Sequence, residues 1–213
     1  MKRLFFLLVL ILLYSCAAEF KSATFETTSI DTAFEADIMA TYDKAIGNNE
    51  LSKTINNNIE NAIISTLNSS KNKTNLDTVL KDFNSEYVNF NQDFAEDSEP
   101  VWELHIETEK LYQSLDIITV AISTYEFQGG AHGNDKIKFL NLDAKTGAVL
   151  NQNDLIENIT EFKDLAESYF IKSLESNEES LKMEDFFFGK PFQLPENIGY
   201  SEDFDIEIVN SKD

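Results

Sequence analysis

Two histidines, one cysteine and a large excess of carboxylates are the side chains from which this chain could build chemistry. His105 and His132 lie far apart and form no His-x-x-x-His or His-Glu-x-x-His pair, the spacing that puts zinc ligands on one helix face. His105 falls between Glu103 and Glu107 on the polar side of a predicted strand, where an exposed surface histidine is the expectation. His132 is set in Gly129-Gly130-Ala131-His132-Gly133, where its ring could bond backbone groups or face a cleft. Locking of the turn is the first reading, because a glycine-rich turn with one histidine needs no ligand to explain it. The 38 Asp and Glu residues are too many for any two to be singled out as a glycosidase dyad. No Gly-x-Ser-x-Gly elbow, no Gly-x-Gly-x-x-Gly and no Walker-type phosphate loop occurs. The sequence therefore assigns no catalytic residue, metal or cofactor.

Cys16 is the only cysteine, so thiolate zinc sites and intramolecular disulfides are ruled out and the fold must be held by its core. Its position carries a different chemistry. Lys2 and Arg3 precede an unbroken apolar run from Leu4 to Leu13, and Leu13-Tyr14-Ser15-Cys16 reads as the lipobox ending a secretory leader. The run is far short of the roughly 20 residues needed to span a bilayer. Residues 1–15 are expected to be removed as a lipoprotein signal peptide, leaving Cys16 as a lipidated N-terminus. Ala17 is not the aspartate that favours inner-membrane retention, so an outer-membrane lipoprotein is expected, facing the periplasm or the cell surface. Residues 16–29, small and polar with isolated Phe20 and Phe25, read as a tether.

The net charge is −21, and loss of Lys2 and Arg3 with the leader makes it −23. Such acidity repels phosphates, which argues against nucleic acid, and it steers in a cationic partner. The acidic residues are spread along the chain, so a solvated surface explains them as well as a dedicated binding field does.

The elements that must position these residues follow from periodicity. Ile30 to Tyr42 has strand character. Leu51, Ile55, Ile59, Ala62, Ile63 and Leu67 form one apolar stripe at helical spacing, and Leu76, Val79, Leu80, Phe83, Tyr87, Phe90 and Phe94 form a second behind a capping Asn75. After Pro100 the period becomes two: Trp102, Leu104, Ile106 and Thr108 share one face of a half-buried strand, Glu103, His105, Glu107 and Glu109 the other. Tyr112 to Phe127 reads as one longer strand, central in the sheet, and Lys136 to Leu142 as the next. Asp143-Ala144-Lys145-Thr146-Gly147 reads as a hairpin turn in which Asp143 bonds the backbone ahead of it and Gly147 takes the left-handed position. Asn153 and Asp154 open a short helical turn. Thr160 and Glu161 are expected to cap a helix burying Phe162, Leu165, Ala166, Tyr169 and Phe170, and Phe186 to Phe188 to be a strand or a wedge of aromatics. The result is an α+β fold, a mostly antiparallel sheet covered by amphipathic helices.

Gly-Gly-Ala-His-Gly, then a strand, then Leu-Asn-Leu-Asp-x-x-Thr-Gly-x-x-Leu and Asn-Asp-Leu-Ile, resembles the paired envelope domains of RsiV-type anti-sigma factors and PdaC-type deacetylases, over roughly Ile30 to Asp203. The resemblance implies two small α+β subdomains, a PdaC-like one at 30–135 and an RsiV-like one at 136–213. Family members continue past a stretch like Asn197 to Asp203 with further aromatic strands, so the chain is expected to be cut short there, with an incompletely covered sheet edge. The deacetylase motifs belong to a separate catalytic domain and are not found in this sequence. What carries over is a non-enzymatic envelope module whose binding residues would be Gly129, Gly130, His132, Gly133 and Asp143. Its partner would be a cationic protein such as lysozyme, or cell-wall glycan. The alternative is a cell-wall hydrolase or deacetylase-associated domain using His132.

Overall fold

The computed structural model describes residues 22–30, 32–47, 49–67, 75–93, 100–175, 182–187 and 189–202. Six strands, β1 (Phe25–Ser29), β2 (Asp37–Ala45), β3 (Glu103–Gln113), β4 (Ile117–Phe127), β5 (Asn134–Asp143) and β6 (Val149–Leu150), form one sheet in the order β1-β2-β3-β4-β5-β6. Every pairing is antiparallel except that of β2 with β3. That one parallel pair needs a crossover, and α1 (Glu50–Thr66) and α2 (Leu76–Asp93) supply it. The fold is thus the expected α+β architecture, a mixed and mostly antiparallel sheet with helices across it.

Both helices begin where asparagine can satisfy a free first-turn N–H. Asn49 accepts from Ser52 N at 2.7 Å and Asn75 from Thr78 N at 3.0 Å. Their apolar stripes then meet the even-numbered positions of the central strands: Ile55, Ile59, Ile63, Val79, Leu80 and Phe83 are buried with Leu104, Ile106, Ile118, Val120 and Ile122. Each such side chain contributes about 1.5–3 kcal/mol on leaving water. Trp102 closes one end, its ring 5.7 Å from Phe83 and 5.3 Å from Phe90 between centroids. Asn84 of α2 pins the chain entering β2, its Oδ1 accepting from Glu35 N at 2.7 Å and Ala36 N at 3.0 Å.

Among the described residues, the other face of the sheet is covered only at one end. There the extended segment 189–202 lies against it, and the helices α3 (Gln152–Leu155), α4 (Ile159–Glu175) and α5 (Met183–Phe187) fill the chain between β6 and that segment. Asn141 donates to the Ile198 carbonyl at 2.6 Å, Tyr200 N donates to Thr119 Oγ1 at 3.3 Å, and Tyr112 stacks on Tyr200. β5 begins at Asn134 and pairs with β4, so the division expected at 135/136 falls within a strand of a continuous sheet.

Several expectations are corrected. Residues 25–29, read as tether, are edge strand β1, because Phe25 to Ser29 find a ready partner in Thr41 to Ala45. The first strand read at Ile30 to Tyr42 lies instead at Asp37 to Ala45. Tyr112 to Phe127 is not one strand: Ser114 N bonds the Ile117 carbonyl at 2.8 Å and closes a hairpin between β3 and β4. The cap of α4 is Asn158, which accepts from Glu161 N at 3.2 Å, not Thr160. Of the residues expected to face inward on α4, Leu165 is 54% exposed and Tyr169 36%. Phe186 and Phe187 belong to α5 and wedge with Phe192 against Phe170, at centroid distances of 5.3 to 5.8 Å. Cys16, Phe94, Phe188 and the region from Asp203 onward lie outside the described residues.

Candidate functional site

The glycine turn joins β4 to β5, and its three glycines serve two purposes. Gly129 (φ +88°) and Gly130 (φ +101°) take backbone angles that side chains resist. Gly133 is needed for space: a Cβ there would stand 2.3 Å from the Tyr125 ring. His132 is exposed, and its Nδ1 lies 2.9 Å from the carbonyl oxygen of Gly133, a contact within the turn itself. Among the described residues no group of three or more His, Cys, Asp or Glu side chains could hold a metal.

Asp143 sits at the opposite end of β5 from this turn, roughly 30 Å away along the strand. One of its oxygens accepts from Lys145 N at 3.0 Å, Thr146 N at 2.7 Å and Thr146 Oγ1 at 2.9 Å. The Thr146 side-chain bond is the main reason its carboxyl is held below the usual carboxylate range. Gly147 follows with φ +73°, packed against Thr54 and Ile55 of α1. The structure therefore groups Gly129, Gly130, His132 and Gly133 and separates Asp143 from them.

A larger assembly is created by strand register. On the face away from α1 and α2, Asp37 pairs with Glu103; Met39, His105, Tyr125 and Asp135 form the next row; Thr41, Glu107, Ser123 and Ile137 the next; Glu109 and Ala121 follow. Segment 189–202 reaches the last of these rows, where Gly199 lies against Phe139, the partner of Ala121 on β5, whereas Met39 is 54% and Ile137 70% exposed. His105 stacks on Tyr125 at 5.7 Å, its Nε2 3.7 Å from Asp37 Oδ2. Met39, His105, Tyr125 and Glu107 line a depression of about 350 Å³. Five carboxylates, Asp37, Glu103, Glu107, Glu109 and Asp135, thus share this face with Met39, Tyr125 and Ile137, and among the described residues of those rows there is no lysine or arginine. The period-two pattern from Glu103 to Glu109 announces one strand of this surface. The rest depends on a parallel pairing that no local pattern encodes.

An α+β domain with a half-open sheet and no assembled catalytic cluster among its described residues is the class of protein these features define. Its residues 29–135, half of the chain, match the sequence profile of the family described as Deacetylase PdaC, and the chain belongs to that family. The fold is similar to that of a DUF3298 family protein from Pseudomonas aeruginosa PAO1, with 19% identity, a TM-score of 0.54, and coverage of 83% of this chain and 78% of that one. It is also similar to a DUF3298 family member from Bacteroides fragilis NCTC 9343, with 15% identity, a TM-score of 0.56, and coverage of 79% and 75%. No curated protein matches the chain. No helix among the described residues is long and apolar enough to cross a membrane.

Proposed function

We propose that this chain is an envelope lipoprotein, anchored through Cys16, that binds a cationic protein such as lysozyme on the open face of its sheet without catalysing a reaction. The observation that carries the reading is that Asp37, Glu103, Glu107, Glu109 and Asp135 share one open sheet face with exposed Met39 and Ile137 and half-buried Tyr125. Apolar and aromatic side chains set among charged ones are a common composition for a protein interface. An acidic surface also accelerates encounter with a basic partner at low salt. The glycine turn, with Gly129, Gly130, His132 and Gly133, borders this face and holds Tyr125 in place. Asp143 supports the fold at a distance.

Cell-wall glycan is the other candidate ligand, and a hydrolase using His132 the other kind of activity. Less supports the hydrolase, since the His132 ring is exposed and engages its own neighbour's carbonyl.

The deciding experiment titrates hen lysozyme and, separately, purified peptidoglycan against the chain lacking residues 1–15, across a salt series. Lysozyme binding that weakens steeply with salt, and is lost in a Glu103→Gln/Glu107→Gln/Glu109→Gln variant of unchanged melting temperature, is the expected result. Salt-independent binding, or binding indifferent to those three carboxylates, contradicts it. Turnover of glycan that disappears in His132→Ala would replace it with the hydrolase reading.

A further inference from the structure

We propose that the unpaired edge of β5 receives an extended polypeptide segment of a partner protein as an added strand. β6 pairs only with Asn141 and Leu142, so on the side away from β4 Asn134 to Leu140 have no strand beside them among the described residues. The direction of the backbone groups follows from the hairpin. Asp143 N donates to the Ala148 carbonyl on the β6 side at 2.8 Å, whereas Ala144 N donates to the Asp116 carbonyl on the β4 side at 2.9 Å. In an antiparallel strand this alternation continues, so the N–H and C=O groups of Asp135, Ile137 and Phe139 point outward at the edge.

Exposed edges are usually guarded by lysines, charges or a covering loop. Here the two lysines of that stretch are turned underneath the sheet. Lys136 Nζ donates to the Thr66 carbonyl at 2.6 Å and Lys138 Nζ to Ser65 Oγ at 2.8 Å, both at the C-terminal end of α1. At Lys138 to Asn141 the edge opens instead into a cleft of about 460 Å³, walled by Asn61 and Ser65 of α1 on one side and Asn197 and Ile198 on the other. Asn151 and Asn153 line it as well.

This shape selects the occupant. Beside Phe139, walls on both faces of the edge leave room for one extended chain and hinder the approach of a whole sheet from a second copy. The amide side chains offer both donors and acceptors to a peptide's uncharged backbone and place no cluster of like charge against it. A strand of about five residues would reach all three outward-pointing positions, and strand addition of this kind draws its affinity from main-chain bonds. The edge engages the backbone of Asp135 and Ile137 and the acidic face their side chains, so the three β3 carboxylates test one reading and main-chain bonding the other.

The test pans a random heptapeptide display library against the full chain and carries the selected heptapeptide forward as probe. Ile137→Pro removes an N–H that faces the edge and not β4, a substitution edge strands tolerate. It should weaken the probe by about 10-fold or more while Ile137→Val changes it by less than about twofold, as expected for lost main-chain bonds. Should Ile137→Pro fail to fold, N-methylation of alternate probe residues asks the same of the unaltered protein: one register of methylation abolishes binding and the other does not. A library yielding no binder, a probe indifferent to both changes, or a wild-type chain that dimerises through this edge in sedimentation each overturns the proposal.

Discussion

Gly133 and Tyr125 compete for one corner of the sheet: a methyl group on the glycine would lie 2.3 Å from Cε2 of the tyrosine and 2.6 Å from its hydroxyl oxygen. The ring that the glycine makes room for is the one stacked on His105. Gly133→Ala should therefore displace Tyr125, destabilise the fold by about 1–3 kcal/mol as an overpacking substitution, and, if the open face is the proposed interface, weaken binding of lysozyme there. Gly130→Ala has nothing within 4 Å to strike and should cost only its left-handed backbone, about 1–2 kcal/mol. Urea denaturation of both variants, followed by a binding titration, separates the two. Equal loss of binding in both would remove Tyr125 from the interface.

Asp143 should make the hairpin after β5 sensitive to acid. Its folded pKa lies below the unfolded value, with the Thr146 hydroxyl as the main cause, so its contribution is present above the unfolded value and fades as pH falls through the lowered one. Melting temperatures measured from pH 6 down to pH 2 should converge for wild type and Asp143→Asn at the acid end and diverge above about pH 4. Parallel curves across the whole range would show that the carboxylate does not hold the turn.

Asn84→Ala should cost about 1–3 kcal/mol, since it leaves two backbone N–H groups, those of Glu35 and Ala36, without their acceptor. The loss should appear first at the β1–β2 end of the sheet. Amide exchange that accelerates uniformly across all six strands would contradict this localisation.

Met39→Ala and Ile137→Ala remove exposed side chains and should change stability by no more than about 0.5 kcal/mol. If the open face is the interface, each should weaken lysozyme binding measurably in isothermal titration, because a few apolar residues within an interface carry disproportionate binding energy. Retained affinity in the double variant would move the interface elsewhere.

The helices that build the core were legible because their apolar residues recur at three and four positions over four turns or more, and Asn75 marks a start that the structure keeps. The hairpin at Asp143 to Gly147 was legible from turn chemistry alone. β1 was not, since Glu26, Thr27 and Thr28 carry no strong strand signal and become a strand only because Asp43 to Ala45 lie alongside. The split at Ser114 to Asp116 was hidden by apolar Leu111, Leu115 and Ile117, which mask a two-residue turn within an apolar run. α4 carries a respectable apolar stripe, yet much of it is left in solvent, an outcome that periodicity cannot foresee. The candidate turn was visible from Gly129 to Gly133. The acidic face was not, because placing Asp37 beside Glu103 requires knowing that β2 and β3 run in the same direction.

That single parallel pairing is also a seam. β1 with β2 forms one hairpin and β3 through β6 a meander, each assembled from neighbours in sequence, while the bond between the two pieces waits for both intervening helices to dock. Closing such a long loop is the entropically slow event in a chain otherwise built from local contacts. A chain made from its N-terminus would hold its first hairpin unattached until β3 arrives, and that interval is when an exposed strand pair is most open to capture by a chaperone.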